Sequence, residues 1–331
     1  MNVRLSFYFL VGLSTAILLH PEPAEAQIGA AHFSFRRGLM GTQFRLMFPA
    51  PDSLTAQRAN AAVNARMDSL NQVMSDYMDG SEINRLSETA GSNRWVRVSP
   101  DLFNVLQKSR TIARLSHGRF DPTVGPLSQL WRRAVRRGEF PTAKQRRRAR
   151  RAVGYRLMRL DSATHSVQLV RTDMRLDVGG IGQGFAIDEA ATVLRGLGLR
   201  SFLLDLGGDV LAGEGNWSVA LDSATIISLH NAAITTSGDT YRHLDYRGRR
   251  YSHVMNPRSG LGLRHFVQAT VLAPDGWRAD VLTKVFSVAG WRKSRRLLRR
   301  FPGAEVLIRE NKTGRLRQWQ STGFQRSLTP R

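Results

Sequence analysis

Four glycines lie close together in this sequence, at positions 179, 180, 182 and 184, immediately before a pattern typical of a helix. Such a turn lets the backbone approach phosphate groups, and it leaves the free N–H groups of the helix pointing at an anion. A Rossmann fingerprint is excluded because Phe185 stands where its third glycine is required, and a P-loop is excluded because no G-K-[ST] follows. Two interpretations remain: a phosphate-binding turn of another kind, or a turn whose glycines only let a helix and a strand pack closely.

Four further regions are too rich in glycine, acids and hydroxyl groups to be explained by core packing alone. They are Phe120–Leu127 (FDPTVGPL), Leu204–Val210 (LDLGGDV), Thr235–Asp239 with Tyr251–Gly260 (TTSGD and YSHVMNPRSG), and Arg278–Phe286 (RADVLTKVF). The first is expected to be a rigid loop facing a ligand, because two prolines and a glycine restrict its backbone. A purely structural turn is the alternative.

Three residues in these regions stand out as candidates for chemistry. His253 stands between a strand and an Asn-Pro turn, where it would contact a ligand or act as a hydrogen-bonded structural residue. Asp280 and Lys284 share one face if their segment is helical. The Asp280 carboxylate would then either ligate Mg²⁺ or cap the start of the helix.

The composition limits the chemistry that this chain can perform. It has no cysteine, which excludes a thiolate nucleophile, an iron–sulfur cluster and a disulfide, and leaves oxygen or imidazole ligands for any metal. The formal net charge is +23, and a charge of this size attracts nucleic acid, anionic lipid headgroups or anionic substrates. The most basic segment, residues 132–151, is predicted to be a solvated, hairpin-like insertion that turns at 138–141, with polyanion binding as the alternative.

The first 26 residues are predicted to be a secretory signal. Arg4 precedes an apolar run from Leu5 to Leu19, and Ala24-Glu25-Ala26 is a small-x-small cleavage site. The mature chain, residues 27–331, is expected to be one domain in the periplasm or secreted, and no cysteine follows the apolar run to make it a lipoprotein. An uncleaved anchor helix is the alternative, although the run is short for a membrane span. Export argues against a nucleic-acid partner.

Hydrophobic periodicity predicts an α+β fold with mixed sheets and surrounding helices. Helices are expected at 55–75, at 100–116 after the Ser99-Pro100 cap, and from Gly184 to Arg195. Strands are expected where β-branched and aromatic residues lie between turn formers, at 43–48, 95–98, 167–171, 201–206, 216–221, 225–229 and 266–272.

Taken in order, these regions resemble the ApbE family, the FAD:protein FMN transferases of the bacterial envelope. The resemblance covers about residues 40–300 and includes Met40-Gly41-Thr42 and Met74-Ser75-Asp76-Tyr77 with Ser81-Glu82-Ile83. It implies a single α+β domain that binds FAD in a cleft with Mg²⁺ beside the diphosphate. It also implies cleavage of FAD between its phosphates, transfer of FMN to a Ser or Thr hydroxyl of an acceptor protein, and release of AMP.

The resemblance assigns roles to particular residues. The flavin-binding positions correspond to Met40, Tyr77, Arg119, Phe120, Asp121, Asp177, Gln183 and Val254. The metal ligands correspond to the carbonyl of Gly180 and the side chain of Asp280, and the histidine implicated in transfer corresponds to His253. Relatives complete the metal site with a hydroxyl four residues after the aspartate.

This sequence departs from the family pattern at that last position, where Lys284 replaces the hydroxyl residue. An ammonium neutralises a phosphate but cannot ligate Mg²⁺. Three interpretations remain: Thr283 ligates the metal instead, Lys284 supplies part of the metal's charge, or the site has lost catalysis. Gln183 also replaces the usual charged residue near the nucleotide.

Three other functions are compatible with the same residues. The chain could be an envelope protein that binds FAD without transferring FMN, a pyrophosphatase that splits FAD with water, or a polyanion-binding protein. For the transferase, the expected partners are FAD and an acceptor protein, and the positive charge is compatible with association at the membrane surface.

Overall fold

The computed structural model describes residues 31–222, 225–238, 243–252, 254–312 and 314–329. The predicted signal segment at 1–26 and His253 lie outside the described residues. Within the described ranges, no helix combines the length and the apolar character that crossing a bilayer requires.

The helices and strands of these ranges alternate irregularly along the chain. The α-helices are α1 (Ser53–Met74), α2 (Glu82–Glu88), α3 (Pro100–Leu115), α4 (Gly125–Arg137), α5 (Ala143–Arg151), α6 (Gly182–Gly196), α7 (Gly276–Leu297) and α8 (Thr322–Arg326). The strands are β1 (Ala31–Leu39), β2 (Thr42–Ala50), β3 (Val96–Arg97), β4 (Met158–Asp161), β5 (Ser166–Leu169), β6 (Leu203–Leu206), β7 (Asp209–Ala212), β8 (Trp217–Ala220), β9 (Ile226–Leu229), β10 (Ala233–Gly238), β11 (His243–Tyr246), β12 (Arg249–Ser252), β13 (Met255–Asn256), β14 (Leu261–Gly262), β15 (Phe266–Ala273), β16 (Glu305–Asn311), β17 (Leu316–Gln320) and β18 (Leu328–Thr329).

An eight-stranded sheet in the order β1-β2-β6-β7-β10-β15-β16-β17 organises the fold. Each neighbouring pair in it is antiparallel. Side chains alternate between the two faces, so Leu204 of β6 enters a large core with α1, α6 and α7, whereas Leu203 enters a smaller core. The smaller core is closed by the β18-β9-β8 sheet and by Phe324 of α8.

The predicted helices form because their apolar residues recur on one side. In α1, Val63, Met67, Leu70 and Met74 are all buried, and Asp52 caps the helix by accepting a hydrogen bond from the Thr55 N–H at 2.7 Å. The helix predicted to begin at Gly184 begins two residues earlier, at Gly182.

The α+β class is confirmed, and the predicted strands are present with shifted ends. The sequence analysis did not predict several other strands, among them β1, β7, β10 and β16. The predicted hairpin-like insertion at 132–151 turns at the expected place, but it is helical and is not fully solvated, because its first helix has a buried side. Two helices, α4 and α5, occupy that segment and are separated at Gly138, whose φ of +68° is left-handed.

Helical structure prevails in this segment for local reasons. Leu127, Trp131 and Ala134 recur at helical spacing on the buried side of α4. Thr142 and Gln145 form a reciprocal capping box that starts α5. The stripe was missed because it begins at Leu127 and Trp131, before the basic segment, in which arginines dominate the composition.

Candidate active site

The glycine-rich turn before α6 packs directly against α7. A Cβ added to Gly184 would lie 2.2 Å from the carbonyl oxygen of Gly276 and 2.7 Å from Cβ of Asp280, so no larger residue fits there. The Gly184 N–H donates to Oδ2 of Asp280 at 3.1 Å. At Gly184, therefore, the glycine permits two helices to approach closely.

Gly180, in the same turn, lies against the side chains of Lys284 and Phe120. A Cβ added there would lie 3.4 Å both from Cγ of Lys284 and from Cε2 of Phe120. The preceding glycine, Gly179, donates its N–H to Oδ1 of Asp177 at 2.9 Å, which holds the turn in shape. The turn thus brings the predicted residues Phe120, Asp177, Gly180 and Lys284 into one neighbourhood.

Asp280 is fully buried, and its carboxylate is neutralised by the lysine one helical turn further on. The Lys284 Nζ lies 2.5 Å from Oδ1 of Asp280, so the two side chains share one face of α7 as predicted. Burial opposes the charge on Lys284, but the carboxyl groups of Asp280 and Asp209 outweigh it and raise the pKa of the ammonium. The Lys284 side chain therefore keeps its positive charge at neutral pH.

Asp209 is a buried member of this cluster that the sequence did not single out. Burial, together with the neighbouring Asp280 charge, raises the pKa of Asp209 to about 8, although Lys284 acts in the opposite direction. Only its place in the motif Leu204–Val210 could have signalled it.

The residues around Asp280 do not fit a magnesium ion. The two Asp280 oxygens already accept bonds from Lys284 and from the Gly184 N–H. The Thr283 hydroxyl donates to the Asp280 carbonyl at 2.7 Å, so it is bonded to its own helix. In the described part of the chain, no three acidic or histidine side chains cluster as a metal site. Mg²⁺ prefers a near-octahedral set of oxygen ligands without an adjacent ammonium.

The stretch around Asp121 is a hydrogen-bonded turn that passes into α4 at Gly125. Oδ1 of Asp121 accepts from the N–H and hydroxyl of Thr123 at 2.9 and 2.6 Å, and Oδ2 accepts from the Tyr155 N–H at 2.9 Å. Burial nevertheless raises the pKa of Asp121, because it outweighs these three hydrogen bonds. The Asp121 carboxylate thus holds the loop that presents Phe120 to Gly180.

Arg119 belongs to a group of arginines at the end of α3. Its guanidinium donates to the Ser116 carbonyl at 2.7 Å, while Arg258 and Arg300 donate to the carbonyls of His117 and Leu115. Burial and then the charges of Arg258 and Arg300 lower the pKa of Arg119. The helix end, with its exposed carbonyl groups, stabilises this concentration of positive charge.

Tyr77 and Asp177 meet through Arg132, which the sequence analysis had placed in a solvated basic segment. Arg132 forms ion pairs with Asp76 and with Oδ2 of Asp177, the latter at 3.4 Å. Its guanidinium carbon lies 4.2 Å from the centre of the Tyr77 ring, which is 77% exposed. Burial and the nearby Asp177 charge raise the pKa of Asp76 against the effect of Arg132.

The remaining predicted flavin-binding residues lie apart from these contacts. Met40 has a left-handed φ of +48° in the turn between β1 and β2 and packs against the large core. Gln183 is half-buried in the first turn of α6, next to Gly184. Val254 is buried, and its N–H donates to the Ser252 hydroxyl at 3.0 Å. No side-chain hydrogen bond or ion pair of the described residues joins these three to Asp177 or Lys284.

Comparison with known proteins relates this chain to one family and to relatives that share one name. The model of the ApbE family matches residues 40–308. An Escherichia coli K12 relative named FAD:protein FMN transferase is 26% identical over 327 residues, covering 93% of this chain and 92% of the relative. A Haemophilus influenzae relative of the same name is 27% identical over 272 residues, covering 76% and 79%.

The fold is also that of a solved structure. The apo crystal structure of Pseudomonas stutzeri flavinyl transferase ApbE superposes with a TM-score of 0.81 at 24% identity, covering 91% of this chain and 98% of that structure. The family match spans most of the chain and includes both the glycine-rich turn and the Asp280 helix. This protein is therefore a member of the ApbE family.

Proposed function

We propose that this chain is an FAD:protein FMN transferase. The observation that supports this most directly is the contact between the glycine-rich turn and the Asp280–Lys284 face of α7, inside a family match over residues 40–308. A fixed cation beside a turn without side chains suits a diphosphate, whose negative charge increases as its bridging bond breaks.

In the proposed reaction, a Ser or Thr hydroxyl oxygen of the acceptor protein attacks the phosphorus on the FMN side of FAD. A new P–O bond forms, the bond to the bridging oxygen breaks, and AMP leaves with that oxygen. The hydroxyl proton must be accepted by a base, for which we propose His253. Alignment of the hydroxyl opposite the leaving AMP is the chief requirement of such an in-line displacement.

The flavin itself is proposed to lie along the residues named by the resemblance. The exposed Tyr77 ring, fixed by the Arg132 guanidinium, offers a flat surface against which an aromatic ring could stack. Asp177 and Phe120 border the turn, and Met40, Gln183 and Val254 are proposed to complete the site. Because the oxygens around Asp280 do not fit Mg²⁺, no step of this proposal depends on a metal ion.

The transferase is proposed to act in the periplasm or outside the cell after cleavage at Ala26. The sequence of the signal segment supports this, and the net charge of +23 favours approach to anionic membrane surfaces. Amino-terminal sequencing of the exported protein is expected to begin at Gln27. An amino terminus at Met1 in the exported protein would contradict this part of the proposal.

The decisive experiment combines purified residues 27–331, FAD and envelope proteins from a strain that lacks this gene. We expect one AMP released for each flavin that becomes covalently bound, measured by chromatography and in-gel flavin fluorescence. Release of free FMN and AMP without covalent flavin would indicate a pyrophosphatase instead. Retention of FAD with no AMP would indicate a binding protein. Asp177→Asn is expected to reduce covalent labelling, whereas Asp173→Asn, in an exposed ion pair with Arg148, is the matched control.

A further inference from the structure

Lys284 joins the buried part of the site to the turn proposed to hold the diphosphate. Its Nζ lies 2.5 Å from Oδ1 of Asp280, which is fully buried, while its own side chain remains 26% exposed. Lys284 therefore lies at the edge of the buried cluster, with its ammonium held by Asp280 and part of its side chain open to solvent.

The stem of Lys284 lies along Gly180. Carbons Cγ and Cδ would be 3.4 and 3.8 Å from a Cβ at that glycine. Because Gly180 has no side chain, nothing from that residue separates the ammonium from the backbone of the turn. An ammonium has three N–H donors, and one is used by Asp280. Among the described residues no other hydrogen bond of this ammonium is found, so the other two N–H groups can donate to phosphate oxygens.

A divalent ion and this ammonium would compete for the same carboxylate. A metal bound to Oδ1 of Asp280 would lie next to Nζ, where two positive charges repel each other. Thr283 offers no replacement, because its hydroxyl is bonded to the backbone of its own helix. Lys284 thus places a positive charge directly beside Gly180, in addition to the Arg132 guanidinium that pairs with Asp177.

We infer that Lys284 replaces the divalent cation in this chain, so that it binds the FAD diphosphate and supports FMN transfer without a metal ion. The inference rests on the proposed function for its substrate. It makes Lys284 a catalytic residue, since its ammonium would contact the phosphate whose charge increases during transfer.

The test begins with the wild-type mature chain and does not depend on any variant folding. FAD affinity, followed by flavin fluorescence, and transfer to the acceptor are measured in EDTA and in Mg²⁺. We expect both to change less than twofold. Binding of Mn²⁺, followed by electron paramagnetic resonance in the presence of FAD, is expected to equal that of free FAD alone.

Variants at position 284 give the opposite pattern. Lys284→Thr, which supplies the hydroxyl found in relatives, is expected to bind FAD about 10–100-fold more weakly in EDTA, because a charge-assisted hydrogen bond is lost. Mg²⁺ should restore binding, and Mn²⁺ should now bind with FAD. Lys293→Met, an exposed change on the same helix, should behave as wild type. Circular dichroism checks that each variant is folded.

The outcomes separate this inference from the proposed function. A wild-type chain that loses tenfold or more FAD affinity or transfer in EDTA, and regains it with Mg²⁺, would overturn the role of Lys284 and leave the transferase intact. Metal-independent FAD binding without transfer would refute the transferase but support the Lys284–diphosphate contact. Failure to bind FAD at all would overturn both.

Discussion

Asp188 of α6 should be a main determinant of how firmly α7 is anchored. The formal cap residue of α7, Asp275, makes no side-chain hydrogen bond to the helix start. Instead, Asp188 accepts the N–H groups of Gly276 and Trp277 at 2.7 and 2.8 Å. Replacing Asp188 by alanine removes the acceptor of two partly buried amides at the start of the helix that bears Asp280.

The expected cost follows from those two hydrogen bonds. An N–H left without an acceptor costs about 1–3 kcal/mol. Water will replace part of the lost hydrogen bonding here, because Asp188 is only half-buried. The free energy of unfolding should therefore fall by about 2–4 kcal/mol, somewhat more than for loss of an ordinary cap. For a chain of this length, the melting temperature should fall by about 4–8 °C.

Calorimetric and urea unfolding at pH 7 would measure this change. The matched control is Asp275→Ala, which removes a carboxyl group at the same helix end but only a partly exposed ion pair with Arg278, worth about 1 kcal/mol or less. Equal losses in the two variants would refute the reasoning, since the effect would then come from charge near the helix terminus. A loss below about 0.5 kcal/mol for Asp188→Ala would refute it as well.

Three further predictions concern other positions. Gly184→Ala should lower the free energy of unfolding by about 2 kcal/mol or more, because its Cβ would overlap the Gly276 carbonyl. Gly196→Ala, on the same helix, has no neighbour within 4 Å and should raise the free energy of unfolding by about 0.5–1 kcal/mol. Thermal unfolding that shows equal stabilities for the two variants would contradict this prediction. Arg132→Ala should weaken FAD binding about tenfold or more, because it leaves the Asp76 and Asp177 carboxylates unneutralised, and Arg132→Lys should cause a smaller loss. A fluorescence titration that shows the same FAD affinity for Arg132→Ala and the wild type would argue against a flavin site at Arg132. Burial raises the pKa of Asp188 from 3.8 to about 7, so folding favours its protonated form, and the free energy of unfolding should fall as the pH rises from about 4 to 7. When unfolding is followed from pH 4 to 8, this decline should be smaller in Asp188→Asn than in the wild type, and an equal decline in the two would contradict the prediction.

The local features of this protein were predictable from its sequence because they depend on short spacings. Residues four apart on a helix share a face, so the pairing of Asp280 with Lys284 follows from their positions alone. The apolar stripe of α1 and the turn before α6 are equally local. The basic segment at 132–151 was misjudged because the buried stripe of its first helix begins before the segment, at Leu127 and Trp131.

Only the tertiary structure decided which distant residues meet. The contacts of Arg132 with Asp76 and of Asp209 with the Asp280 cluster join residues tens of positions apart, and no spacing rule selects one arginine among so many. The sequence likewise suggested two uses for the glycine-rich turn without choosing between them. The crossing of α6 and α7 shows that Gly184 permits close packing, whereas Gly180 lies beside the Lys284 cation. Chain order specifies which chemical groups are present and which neighbours share a face, but burial and long-range pairing determine which charges remain available to a substrate.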